Sequence, residues 1–252
     1  MIFINIYYED DSVKLIQGEC LEIMDKLIQQ GVKVDAIITD IPYGTTKCKW
    51  DNIIPFEDMW NKISVIKKDK SIPVVLFGAE PFSSTLRCSN IKQYKYDWIW
   101  QKTRPSLFQH ANKRPMKDHE DIMVFYEKQP VYNQKLEVLE KPNKRWRQNK
   151  MGTFLEDGCS DKDSLQTKTG YNRQIITYSL HNVGLLHPTQ KPLKLMEFLI
   201  YTYTNEGDLI LDFTCGSGTT LIAAKNLHRK CIGIEIDEKY CKITKDRILL
   251  TA

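Results

Sequence analysis

The chain has 252 residues, 42% of them hydrophobic and 27% charged, the proportions of an ordinary globular protein, which excludes a disordered or collagen-like chain. At this length about 70–75% of the unfolded surface can be buried, so the core needs neither disulfides nor a structural metal. A formal net charge of +4 permits an anionic partner without requiring one.

Seven cysteines, no two spaced as CxxC, make a zinc ribbon or a disulfide framework an unsuitable reading. The first residues carry no basic leader, and 18 apolar residues never run together. The expectation is a cytoplasmic protein with reduced thiols.

Short Val- and Ile-rich runs predict buried strands, and 3.6-residue spacing predicts helices between them. The first strand is 13–16 (VKLI), followed by a helix with Leu21, Met24, Leu27 and Ile28 on one face. A strand at 34–38 (VDAII) runs into TDIPYG, and further strands are predicted at 72–77, 97–100 and 121–126. From about 127 to 185 the pattern fails and polar residues dominate. It resumes with a helix carrying Leu193, Met196, Leu199 and Tyr203, then strands at 208–213 and 230–234, and a last helix with Cys241, Thr244 and Ile248 on one face. This alternation predicts an α/β protein with a doubly wound, mostly parallel sheet covered on both faces. Residues 1–126 and 186–252 form that domain in this reading, and 127–185 form a polar insertion.

Within the insertion, KPNKRWRQNK (141–150) places Lys144, Arg145 and Arg147 around Trp146 with no acidic residue to offset them. A solvated loop accounts for such a run. A phosphate-contacting surface with an aromatic able to stack on a base is the alternative, and taken alone the run favours the solvated loop.

Two constellations carry chemistry. The first is DLILDFTCGSGTT, a strand ending in Asp212 and Phe213 that meets Gly216-Ser217-Gly218-Thr219 and then a helix. A Gly-x-Gly turn lets backbone approach a ligand, and the N–H groups of the next helix favour a polar or anionic group. The third glycine of a dinucleotide fingerprint is replaced by Leu221, which disfavours a pyrophosphate cofactor. Glu235, at the end of the following strand, offers a carboxylate that can accept both hydroxyls of a ribose. Together these describe a site for an adenosine-containing cofactor. The second constellation is Asp40-Ile41-Pro42-Tyr43 at the carboxyl end of a buried strand, where ligands bind in open α/β sheets. Pro42 stiffens the backbone so that the Asp40 carboxylate and the Ile41 carbonyl can act as paired acceptors, with the Tyr43 ring beside them. Such a set suits a planar substrate with an exocyclic amine, such as a nucleobase.

The pair DIPY and FTCGSGTT resembles the DNA amino-methyltransferases, which methylate adenine N6 or cytosine N4 with S-adenosyl-L-methionine. The order, with DIPY near the N-terminus, a polar insertion and the glycine motif near the C-terminus, resembles the beta-class permutation of that family. The resemblance covers most of the chain and implies a Rossmann-like methyltransferase fold. HPTQKP (187–192), with Thr189 and Lys191, matches the family's segment over the methionine end of the cofactor. LIQGECLEIM, with Glu19 and Cys20, is similar to the strand and turn that flank the cofactor adenine, and HEDIMVFYEK (119–128) resembles a framework strand near the target-base pocket. Three positions depart from the family pattern: Glu19 stands where Asp is usual, Ile41 where Pro is commoner, and Phe213-Thr214 where Pro-Phe is more frequent.

The implied chemistry is direct methyl transfer to an exocyclic amine, with Asp40 and Ile41 polarising the nitrogen and Tyr43 holding a base flipped out of the duplex. The implied cofactor set is Glu19, Cys20, Asp40, Thr189, Lys191, Asp212, Phe213, Gly216, Ser217, Gly218, Thr219 and Glu235. The flipping requirement makes Lys144, Arg145, Trp146 and Arg147 candidate contacts to double-stranded DNA. Asp at the head of the tetrad favours adenine N6, with cytosine N4 as the alternative. A carbon-5 cytosine methylase is disfavoured because no Pro-Cys occurs, and five histidines without ligand spacing give no catalytic metal. A different-class reading, a non-catalytic nucleic-acid-binding module on the same fold, would be separated by its lack of cofactor binding. A homodimer and a cognate restriction endonuclease are compatible partners.

Overall fold

The structure is a computed structural model that describes residues 4–45, 51–106, 108–144, 165–179 and 190–251. Its elements begin with β1 (Ile6–Glu9), β2 (Val13–Gln17), α1 (Cys20–Gln29), β3 (Ala36–Thr39), α2 (Phe56–Ile66), β4 (Val74–Gly78) and α3 (Phe82–Ser89). They continue with β5 (Tyr94–Ser106), β6 (Lys117–Phe125), β7 (Glu137–Lys144), β8 (Leu165–Thr169) and β9 (Ile175–Tyr178). The chain closes with α4 (Leu193–Tyr203), β10 (Leu209–Asp212), α5 (Thr219–Asn226), β11 (Lys230–Glu235) and α6 (Glu238–Leu249).

Nine strands form one sheet in the order β1-β2-β11-β10-β3-β4-β6-β5-β9. The block from β2 to β4 is parallel throughout, while β1 and β6 run antiparallel to their neighbours β2 and β4. Alternation along each central strand splits the core into two layers. Ala36, Ile38, Val75 and Phe77 face one cluster with α4, α5 and α6, while Ile37, Val74 and Leu76 face the other with α1, α2 and α3. A strand buried on both faces reads as an unbroken apolar run, which is why VVLFG stands out in the sequence.

The strands at 97–100 and 121–126 are longer than their apolar runs suggest. In β6 only residues 121–125 pair with β4 and are fully buried; the polar half, 117–120, pairs with β5 alone. Apolarity marks double coverage, and the strand continues where that coverage ends.

Gln134–Arg173 form a small compact unit, and the remainder of the chain forms a second. In that small unit β7 pairs antiparallel with β8. Ile175–Tyr178 belongs to the large sheet, as a parallel edge strand beside β5. Among the described residues no helix is long and apolar enough to cross a membrane.

From β3 the chain proceeds to β4 on one side, and from β10 to β11 on the other, although β3 and β10 are hydrogen-bonded neighbours. The winding direction therefore reverses between them. At such a switch point the loops leaving the two carboxyl ends diverge and open a crevice.

Candidate active site

A cavity of about 540 Å3 occupies that crevice, a size suited to a small-molecule ligand. Asp40, Ile41, Pro42 and Tyr43 line it from the end of β3, and Asp212 to Ser217 and Thr219 from the end of β10. Glu19 and Cys20 at the start of α1, Lys191 ahead of α4, and Glu235 at the end of β11 complete the predicted set on its walls. Gly218 caps α5 beside them. Thr189, Arg145, Trp146 and Arg147 lie outside the described residues, as does the side chain of Lys144, which ends β7.

Residues more than 170 positions apart in sequence are joined directly. Thr39 Oγ1 donates to Asp212 Oδ1 at 2.7 Å, and Thr214 Oγ1 donates to the Asp40 carbonyl at 3.1 Å. These bonds tie the DIPY loop to the glycine strand. The Thr214 backbone N–H also donates to Asp212 Oδ1, at 3.2 Å. No Lys or Arg pairs with Asp212 among the described residues, and burial pushes its carboxyl up to about 6.

The glycine turn is built for close approach. Gly216 and Gly218 have φ of 52° and 75°, where side chains are strained. A Cβ on Gly218 would stand 2.4 Å from Thr244 Cγ2 on α6. From the same helix Arg247 donates to the Ser217 carbonyl and, at 3.1 Å, to Ser217 Oγ. Glu235 Oε2 accepts the Gly216 N–H at 2.8 Å and Oε1 accepts the Asp237 N–H at 2.9 Å. A carboxylate has about four lone-pair sites, so each oxygen keeps one for a vicinal diol. Ile236, 57% exposed, adds an apolar wall beside them.

Gly218→Ala combines a left-handed φ with that steric conflict, and is expected to cost about 2–4 kcal/mol. That corresponds to a fall in Tm of roughly 5–10 °C for a domain of this size, together with weaker cofactor binding. Thr244→Ser, which removes Cγ2, should recover part of the loss; a thermal melt of the single and double variants checks it.

At the other end of the cavity Asp40 is engaged on both oxygens. The Tyr43 hydroxyl donates to Oδ1 at 2.7 Å, and the Lys191 ammonium pairs with Oδ2. Burial lifts the Asp40 pKa, with the Glu120 charge adding to it, against the pull of Lys191. Burial and the two carboxylates hold the Tyr43 phenol well above its ordinary value, so it remains a neutral donor. The Tyr43 ring is backed by Phe82 of α3, with centroids 5.1 Å apart and 27° between planes. Gly44 and Asp51 close the loop, the Gly44 N–H donating to Asp51 Oδ1 at 2.8 Å.

Glu19 lies beside the cavity as the N-cap of α1, accepting the Glu22 N–H at 2.8 Å and the Cys20 thiol at 3.2 Å. Phe213 is packed into the core. Cys215, inside the glycine turn, is buried, and burial pushes its thiol well above the usual range, the reverse of what a nucleophile needs.

Sequence reasoning missed Trp100, Lys102, Glu120 and Arg247. Glu120 sits within the HEDIMVFYEK segment, but nothing local marks it. It reaches the cavity because β6 pairs Glu120 with Trp100 of β5, setting Lys102 diagonal to it on the same face.

An acidic loop facing a glycine turn and a buried carboxylate at the switch point of a mostly parallel sheet is the arrangement of the Rossmann-like methyltransferase fold. Comparison with known proteins agrees. The family model described as DNA methylase, of the N6/N4 class, matches residues 34–246, and the chain belongs to that family of DNA amino-methyltransferases. It is 27% identical to the Type II methyltransferase M1.MboII of Moraxella bovis over 90% of this chain and 93% of that one. It is also 27% identical to the Type II methyltransferase M2.LlaDCHI of Lactococcus lactis subsp. cremoris, covering 96% and 91%. Among solved structures, the M1.HpyAVI–SAM complex superposes with a TM-score of 0.66 at 26% identity, over 94% of this chain and 98% of that one. The cytosine-N4-specific PvuII DNA methyltransferase shares the fold, with a TM-score of 0.65 at 17% identity, over 96% and 88%.

Proposed function

We propose that the protein is a site-specific, Type II-like DNA methyltransferase that transfers a methyl group from S-adenosyl-L-methionine to adenine N6 in double-stranded DNA. The observation that carries this reading is the Asp40 carboxylate at the mouth of a loop whose backbone, through the Asp40 carbonyl and Thr39, is tied by Thr214 and Asp212 to the glycine turn. The cavity residues fit the cofactor chemically: Glu235 for the ribose diol, Ile236 as an apolar wall for a purine, and Asp212 as a buried anion for an ammonium group. Lys191 and Asp40 complete the lining at the methionine end in this reading. When bound, S-adenosyl-L-methionine supplies an electrophilic methyl group on a sulfonium centre.

An exocyclic amine is a weak nucleophile because its lone pair is delocalised into the ring. Hydrogen bonds from the amine to the Asp40 carboxylate and the Ile41 carbonyl favour the pyramidal nitrogen, and the Asp40 charge stabilises the positive charge that develops there. Tyr43 orients Asp40 through its hydroxyl and offers its ring, braced by Phe82, to a flipped base. Flipping costs a few kcal/mol, which contacts from Lys144, Arg145, Trp146 and Arg147 to phosphates and bases would offset. The choice of adenine over cytosine rests on Asp, not Ser, heading the tetrad.

The test is to incubate the protein with labelled S-adenosyl-L-methionine and unmethylated genomic DNA, digest to nucleosides and identify the labelled product by mass. N6-methyladenine is expected. N4-methylcytosine would keep the mechanism and overturn the base; cofactor binding with no labelled nucleoside on DNA of diverse sequence would overturn the substrate.

A further inference from the structure

Four charged side chains alternate across the cavity floor: Asp40, Lys191, Glu120 and Lys102. Lys191, 7% exposed, stands between two carboxylates, paired with Asp40 Oδ2 and 3.3 Å from Glu120 Oε2. Burial opposes its charge, but Asp40 and Glu120 more than offset this and raise its pKa. Its ammonium also lies 5.0 Å from the centroid of the Phe77 ring and 6.0 Å from that of Tyr43. Lys102, from β5, holds the other oxygen of Glu120, Oε1, at 2.5 Å.

This arrangement poses a problem for the chemistry proposed above. Asp40 keeps a lone-pair site on each oxygen, but its charge, needed to answer the positive charge developing on the target nitrogen, is already answered by Lys191 on Oδ2, while Tyr43 donates to Oδ1. A buried ammonium removed from its only counter-ion would be strongly disfavoured. Here a second seat exists. Glu120 Oε2 is buried and has no hydrogen-bond partner among the described residues, and it lies on the Lys191 side. A charge-assisted N–H···O bond spans about 2.7–2.9 Å, so a shift of roughly half an ångström completes the bond to Glu120 and lengthens the one to Asp40. Lys102 keeps Glu120 from swinging away, and with Lys191 holds its carboxyl below the usual range against burial.

We propose that Glu120 is a positioning residue that draws Lys191 toward itself as the target amine arrives, loosening its hold on Asp40 and leaving the Asp40 charge to the amine's hydrogen and the cation developing on its nitrogen. The inference rests on Asp40 being the amine acceptor. Before the base enters, the Lys191–Asp40 pair keeps the carboxylate compensated; after it enters, the Lys191–Glu120 pair does the same for the ammonium. The charge of the floor is unchanged by the exchange.

The test is single-turnover methyl transfer at saturating DNA and cofactor, with Tm and cofactor Kd measured alongside. Glu120→Gln should slow transfer by about a hundredfold, the effect of losing one preorganised polar contact at a developing charge, while cofactor Kd changes by less than about threefold. Adding Lys191→Gln to Glu120→Gln should then recover at least about fivefold, because the cation held on Asp40 is gone. A merely structural Glu120 would give a further loss instead. Should Glu120→Gln fail to fold, Glu120→Asp keeps the charge but withdraws it, and should slow transfer about tenfold with the same recovery by Lys191→Gln. An unchanged rate in the Glu120 variants, or a double variant slower than the single one, overturns the proposal. A wild-type protein that methylates no amine at all fails the underlying assignment instead, so the two failures are distinct.

Discussion

Asp40→Ala is expected to lower the methyl-transfer rate by about a thousandfold or more, with cofactor Kd changed by less than about tenfold. Loss of a single preorganised donor at a developing charge costs about 10²–10³ in rate, and this change removes both a hydrogen-bond acceptor and a full counter-charge to the reacting nitrogen. The surrounding structure should persist. The loop is tied to Thr214 through the Asp40 backbone carbonyl, which the substitution leaves in place. Lys191 keeps an anion within 3.3 Å in Glu120, so no ammonium is left isolated. Rapid-quench transfer assays with a cofactor titration separate the outcomes. Transfer retained within about tenfold would remove Asp40 from the chemistry, whereas equal losses in rate and affinity would indicate collapse of the loop.

Asp212→Asn should move stability and binding in opposite directions. Burial raises the Asp212 carboxyl from 3.8 to about 6, so between those values the folded chain holds a proton that the unfolded chain has lost. Stability from this group is therefore complete below about pH 4, falls as pH rises through the window, and stays lost above about pH 6. A shift of about two pKa units corresponds to roughly 3 kcal/mol. Asn carries no charge to bury, and its amide oxygen can still accept from Thr39 and Thr214. The variant should gain on the order of 2–3 kcal/mol over the parent at pH 8 and almost nothing at pH 4. Cofactor affinity should fall about tenfold to a hundredfold, because the anion facing the bound ammonium is gone. Denaturant melts at the two pH values and calorimetric titration check both parts. A variant no more stable than the parent at pH 8 would show that the Asp212 charge imposes no folding cost. A gain at pH 8 together with weaker cofactor binding would make the site an instance of stability surrendered for function.

Much of the architecture is legible in local pattern. The strands that became β2, β3, β4, β10 and β11 are short apolar runs because parallel strands covered on both faces have no solvent side to mark. The glycine turn is legible because Gly216 and Gly218 occupy backbone angles that other residues adopt with strain. Asp40 and Glu235 could be singled out because each follows a predicted buried strand, and strand ends are where an open sheet binds ligands. The polar halves of β5 and β6, by contrast, carry no apolar signal. Arg247 reads as one more cation on an amphipathic helix until α6 is seen to lie against the carbonyl of Ser217.

What the sequence determined alone is what the backbone and short-range chemistry dictate: the alternation of strands and helices, the tight turn, and the acids and aromatics at strand ends. Only the tertiary structure decided which of these meet. It joined Thr39 to Asp212 across 173 positions, and it set Lys191 between Asp40 and Glu120. The physical reason is that pairing between distant strands fixes which buried charges share a low-dielectric space. Their pKa shifts and their exchange of partners are properties of that shared space, written in no single segment of the chain.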